Sequence, residues 1–150
     1  MASDLKVDID GIRLNVRCGV IMRYGENVVV EISTQGRNSV IPGGRIKINE
    51  RSIDGLCREI YEEMNLAIDK EGLRQLMVFE NFFTSDGQNY HEMYFLYEYN
   101  LSDSEKEHIE KLTVNYDNAS TYFKIVPNSD IEKYNLLPLE LHKIIQTRQV

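Results

Sequence analysis

Three carboxylates stand at i, i+3 and i+4 in Cys57-Arg58-Glu59-Ile60-Tyr61-Glu62-Glu63-Met64-Asn65, with one arginine among them. On a helix, Glu59, Glu62 and Glu63 share one stripe, and like charges so spaced cost about 0.2–0.5 kcal/mol per pair. A divalent cation turns that repulsion into attraction. An all-oxygen donor set with no Cys or His suits magnesium or manganese rather than zinc. Taken alone, the stretch reads equally as a solvated helix face with an ordinary surface arginine.

The residues around it must position these acids. Ile53, Leu56, Cys57, Ile60 and Met64 recur at helical spacing from Arg51 to Met64 and define an apolar face. The acids fall on a separate arc, so such a helix packs with one side and presents carboxylates with another. Upstream, "VRCGVIMR" (16–23) and "NVVVEIS" (27–33) read as strands joined by the hairpin signal "YGEN". A short strand near Ser39–Ile41 runs into Pro42-Gly43-Gly44, which breaks it. The glycine pair permits a sharp turn with exposed carbonyl oxygens.

Downstream, "LRQLMVFENFF" (73–83) and "NYHEMYFLYEY" (89–99) read as long strands around "TSDGQ". The charged run 102–112 fits a short helix or a loop. "STYFKIV" (120–126) reads as a further strand. "LELHKIIQT" after Pro138 reads as a terminal helix with Leu141, Ile144 and Ile145 inward. Strands on both sides of a central helix, with another helix at the end, predict a mixed α/β sandwich. No repeat or linker interrupts residues 1–150, which are expected to form a single domain.

Composition narrows the partners. A net charge of −7 argues against nucleic acid, which needs clustered Lys and Arg, but admits a small anionic substrate carried by a metal. No apolar run is long enough to span a membrane, and the start lacks signal-peptide design. Cys18 and Cys57, without metal-like spacing, are expected to be reduced, buried thiols of a cytoplasmic protein.

Extended upstream, the stretch becomes "IPGGRIKINERSIDGLCREIYEEMNL". It resembles the signature of the Nudix hydrolases, G-x5-E-x7-R-E-U-x-E-E-x-G-U with U aliphatic. Gly44, Glu50, Arg58, Glu59, Ile60, Glu62, Glu63 and Leu66 match in order over 23 residues, and only Asn65 departs, where the family has glycine. Asparagine is the next most tolerant residue of the left-handed conformation at a helix stop. The resemblance implies an α/β/α sandwich with a mixed sheet and a metal-dependent pyrophosphohydrolase cleaving a nucleoside diphosphate linked to another group.

Carried over by position, the resemblance implies Glu59, Glu62, Glu63 and the Gly43 carbonyl as ligands of Mg2+, with Mn2+ as a substitute. Arg58 would orient a site glutamate, and Glu50 would hold the loop or reach the metal through water. For the general base, a helix glutamate or an acid from a later strand is open. Glu92 is the leading later candidate, His91, Asp117 and Glu80 lesser ones. The packing alternative sends His91, Met93, Phe95 and Tyr97 inward and leaves Glu92 solvated. Tyr90, Tyr94, Tyr97 and Tyr99 offer base stacking or, more simply, core packing. Arg37 could meet a phosphate or do nothing. The resemblance implies a small nucleotide derivative as substrate, and the signature withholds which one. A non-catalytic nucleotide-sensing or scaffold domain is the alternative, and "DLKVDI" offers an edge that could pair across a homodimer.

Overall fold

The structure, a computed structural model, describes residues 2–147; Met1 and residues 148–150, the ends of the expected domain, lie outside the described residues. Eight strands are described: β1 (Lys6–Ile9), β2 (Ile12–Tyr24), β3 (Asn27–Ser33), β4 (Ser39–Val40), β5 (Gly43–Arg45), β6 (Arg74–Ser85), β7 (Gln88–Asn100) and β8 (Thr121–Pro127). The helices are α1 (Ser52–Met64), α2 (Asp103–Glu110) and α3 (Glu140–Gln146). The sheet is mixed. β2 and β7 run parallel over twelve residue pairs, from Ile12↔Asn89 to Arg23↔Asn100, whereas the other pairings are antiparallel.

Two Asp-Gly pairs turn the outer hairpins. Asp10-Gly11 joins β1 to β2 and Asp86-Gly87 joins β6 to β7, all four residues at positive φ, as two-residue hairpin turns demand. In the first, "DLKVDI" pairs through one edge with β2 of its own chain, Lys6 opposite Asn15. One correction concerns Gly43-Gly44: the short strand β4 ends at Val40, ahead of Pro42, and the glycines open a new strand, β5, with Gly43 opposite Gly19 and Gly44 opposite Cys18.

The "YGEN" hairpin forms, but β2 and β3 pair only at Arg23↔Val28 and Tyr24↔Asn27. Beyond those two pairs the strands part, and β5 takes the edge of β2. This split is where the acids of α1 arrive.

Each face of the sheet carries a core. On one, Leu56, Ile60 and Met64 of α1 and Ile109 of α2 pack with Cys18, Val20, Met22, Val29, Tyr97 and Phe123. On the other, Leu141 and Ile145 of α3 pack with Ile21, Val28, Val30, Leu96 and Val126. Helix α2, the segment that fitted either helix or loop, starts in a full capping box of Ser102 and Glu105. Cys18 and Cys57 are both free; Cys18 is buried, but Cys57, expected to be buried, is half-exposed at the flank of α1.

Arg23 joins β2 to α3. Its buried guanidinium donates to Glu98 at 2.7 Å and to the Ile145 and Ile144 carbonyls at 3.1 and 3.2 Å. It therefore satisfies orphan carbonyls at the helix C-terminus, where a positive charge also suits the dipole.

Candidate active site

The glycine pair sets how closely α1 approaches the sheet. A Cβ on Gly44 would fall 2.3 Å from the Glu59 carboxyl carbon, and one on Gly43 would fall 2.1 Å from the Cys18 carbonyl oxygen. Glu59 thus lies directly on the Gly44 backbone. Asn65 ends the helix at φ 51°, ψ 40°, in the left-handed region, its N–H donating to the Tyr61 carbonyl.

Arg58 organises the acids. It donates bidentately to Glu50, Nε at 2.8 Å and Nη2 at 3.0 Å, while Nη1 reaches Glu59 at 3.0 Å and both oxygens of Glu62 at 3.3 Å. Its Nη2 also donates to the Arg45 carbonyl at 3.1 Å, tying the helix to β5. Glu50 in turn accepts the Lys47 N–H and closes its own loop at 3.0 Å. The Arg58 guanidinium holds the Glu50 carboxyl below the usual range and outweighs the effect of partial burial. Burial pushes Glu59 the other way, and Arg58 only partly offsets it.

Carboxylate oxygens of Glu59, Glu62 and Asp117 lie within 4.8 Å of one another. Asp117 comes from the loop before β8, so the helix acids meet a fourth carboxylate from elsewhere in the chain.

Glu63 is set apart from these three. It is 7% exposed, accepts from Asn115 Nδ2 at 3.1 Å, and faces Glu31 of β3. The same Asn115 amide donates to Glu31 at 2.9 Å, Thr121 donates to Glu31 at 2.8 Å, and the Gly43 backbone lies beside Glu63. Burial, with the Glu31 charge beside it, pushes the Glu63 carboxyl up to about 8. Its Oε1 is buried with no hydrogen-bond partner. An orphaned, buried carboxylate oxygen beside the Gly43 backbone, under the charges of Glu31 and Glu59, fits a hard divalent cation.

The remaining candidates lie elsewhere. Glu92 is buried on the sheet face away from α1, held by Asn15, Asn81 and Arg17. This corrects the alternation reading, since Glu92 points inward while Met93, expected inward, is 39% exposed. His91 pairs with the exposed Glu80 at 3.1 Å on the outer surface of β6 and β7. Arg37 sits in an exposed loop, where its carbonyl accepts from Asn135. Tyr94, Tyr97 and Tyr99 are core residues, and Tyr90 stacks on Phe83 with ring centroids 4.7 Å apart.

Glu31 and Asn115 escaped the sequence reading. An acid inside the otherwise apolar run "NVVVEIS" was the available signal for Glu31. Asn115 carried none, because its partners are remote in the chain.

No protein-family model matches the chain, and no curated protein does. Solved structures do. An Ap4A hydrolase binary complex from C. elegans aligns with TM-score 0.59 at 17% identity, covering 88% of this chain and 93% of that one. A MutT protein from Bacillus halodurans aligns with TM-score 0.66 at 13% identity, over 88% and 80%. A Nudix hydrolase from M. smegmatis, RenU, aligns with TM-score 0.63 at 15% identity, over 99% and 98%. With α1 and α3 on opposite faces of a mixed sheet and the acids gathered where it splits, this chain has the Nudix fold.

Proposed function

We propose that this chain is an enzyme, a divalent-metal-dependent pyrophosphohydrolase acting on a nucleoside diphosphate linked to a further group. The observation that carries the reading is the convergence of Glu59, Glu62 and Asp117 within 4.8 Å, with an orphaned buried oxygen on Glu63 of the same helix. Glu59, Glu62, Glu63 and the Gly43 carbonyl hold the cation. When bound, magnesium, or manganese in its place, neutralises charge on the diphosphate and makes water a better nucleophile. Arg58 keeps Glu59 and Glu62 aimed by anchoring itself on Glu50 and the Arg45 carbonyl. Asp117, exposed on its loop, accepts the proton of the attacking water.

A panel of nucleoside triphosphates, dinucleoside polyphosphates, nucleotide sugars and ADP-ribose, assayed with Mg2+ for phosphate or nucleotide release, tests the reading. At least one member is expected to turn over. Asp117→Asn should lower kcat by about 10²–10⁴-fold with KM within a few-fold. Glu59→Gln should abolish turnover and weaken Mg2+ binding measured by calorimetry. Binding of panel members without any turnover, with Mg2+ or Mn2+, would overturn it in favour of a sensing domain.

A further inference from the structure

On the sheet face that α1 packs against, the helix meets Cys18, Val20 and Met22 of β2. Four strands run on past that contact. Their register sets Val7 of β1, Leu14 of β2, His91 of β7 and Phe82 of β6 in one row across the sheet. Ile9 and Ile12 stand beside that row on one side, and Met93 on the other. Side chains alternate along a strand, so these residues share the face of Cys18. Phe82 is 65% exposed and Ile9 54%, and Val7, Ile12, Val78 and Met93 are exposed as well.

The reverse side of the β1–β2 hairpin is different. Lys6, Asp8 and Arg13 project there, with Arg13 Nε donating to Asp8 at 2.9 Å. One side of this ribbon is thus made for water and the other for cover. Among the described residues nothing covers the apolar side, and the four residues outside them are too few to do so.

Area, charge and shape select the occupant. The six exposed apolar side chains present on the order of 600 Å², the upper end for the largest patch on an ordinary monomer. Two such faces contribute about 1,200 Å² together, where standard-sized protein interfaces begin. None of the strand residues on this face is Lys or Arg, and its Glu80 and His91 bond each other at 3.1 Å. With a net charge of −7, such a face is unsuited to an anionic lipid surface or a nucleic acid. Its shape is two-sided. β6 and β7 carry the bulky Phe82, His91 and Met93, whereas β1 and β2 carry the shorter Val7, Ile9 and Ile12.

We propose that this face is covered by the same face of a second copy, forming a two-fold dimer by sheet-on-sheet packing. A two-fold axis parallel to the strands, between β2 and β7, sets β6 of each copy over β1 of the other. Phe82 then rests on Val7 and His91 on Leu14, large over small, at two equivalent places. Sheets so stacked lie about 10 Å apart and interdigitate as in a domain core. The contact uses the face of β1 and leaves its pairing with β2 intact. The inference goes beyond the hydrolase reading and stands or falls apart from it.

Sedimentation velocity of the full chain over about 1–100 μM tests the proposal, since an interface at the low end of standard size holds in the micromolar range. The native chain should be dimeric at the upper end. Phe82→Glu and Val7→Lys should each be monomeric throughout, an affinity loss of about 100-fold or more, with the native circular dichroism spectrum retained. Mixed in equal amounts, the two variants should dimerise again, because the arrangement lays the introduced carboxylate on the introduced ammonium. Leu139→Asp, at a 66% exposed leucine beside α3, should leave the dimer intact. A native chain that stays monomeric, whether or not it adsorbs to neutral phosphatidylcholine vesicles, would overturn the proposal. So would a dimer that survives Phe82→Glu, or a variant mixture that stays monomeric. Should either variant fail to fold, Ile9→Glu on the same face takes its place. Turnover of a panel nucleotide by a monomeric native chain would sink the dimer and leave the hydrolase reading standing.

Discussion

At the scale of single residues, the two glycines of the signature have separate jobs. Gly43 abuts backbone, since an added methyl would overlap the Cys18 carbonyl, which β2 holds in place. Gly44 abuts the end of a side chain, the Glu59 carboxylate. Gly43→Ala is therefore expected to cost about 1–3 kcal/mol of stability in denaturant unfolding, with activity falling alongside. Gly44→Ala should fold with an almost unchanged midpoint, because Glu59 can swing aside. It should weaken Mg2+ binding about 10–100-fold, the usual effect of disturbing a ligand's support. Equal destabilisation by both substitutions would refute this division. Both glycines stood out in the sequence, but their difference did not, since it depends on what the fold lays against each.

At the scale of elements, Arg23 and Glu98 fasten α3 to the sheet, with Arg74 adding a second guanidinium to Glu98. Burial disfavours ionised Glu98, yet the two guanidiniums outweigh it and hold its carboxyl below the usual range. A depressed carboxyl contributes stability above its unfolded value near 4.5, and that contribution disappears as pH falls through the lower folded value. Urea unfolding from pH 7 to 3 should show this acid limb. Glu98→Gln should lower stability by about 1–3 kcal/mol at pH 7 and flatten the limb below about pH 4.5. An unaltered limb in the variant would assign it to other carboxylates. The elements themselves were largely readable. Helix α1 shows an unbroken 3.6-residue period, and the β6–β7 turn carries Asp86-Gly87. The facing of β7 was not. It is a central strand covered by neighbours on both edges and packed on both faces, so aromatic residues occupy both alternation classes and the pattern carries no sign.

At the scale of the whole molecule, the acids couple cation binding to folding. Glu63, pushed up to about 8, is mostly protonated at pH 7 when no cation is bound. A raised carboxyl makes the metal-free fold lose stability as pH climbs from the unfolded value near 4.5 toward 8. A cation that binds the ionised form reverses this, so binding releases a proton. Mg2+ at a hundred times its dissociation constant should stabilise the fold by about 2.7 kcal/mol, and thermal unfolding should show a larger gain at pH 8 than at pH 6. A gain independent of pH would exclude Glu63 as a ligand. Of this assembly the sequence displayed the helix half, because four acids at fixed spacing from a glycine are a local pattern. Asp117, Glu31 and Asn115 are brought in by β3 and β8, and no local pattern encodes that meeting.

Asn115 joins those halves. Its Nδ2 serves Glu31 and Glu63, and its Oδ1 accepts the Asp117 N–H at 2.8 Å. Thr121 closes the circuit through Glu31, and the Tyr116 N–H reaches the Glu63 carbonyl at 2.9 Å. For protein engineering, this makes the 113–120 loop a poor cassette. Grafted onto another scaffold, it would keep the carboxylate of Asp117 but lose its aim unless Glu31, Glu63 and Thr121 travelled with it. The unit that can be transplanted is a constellation drawn from β3, α1 and β8, not a length of chain.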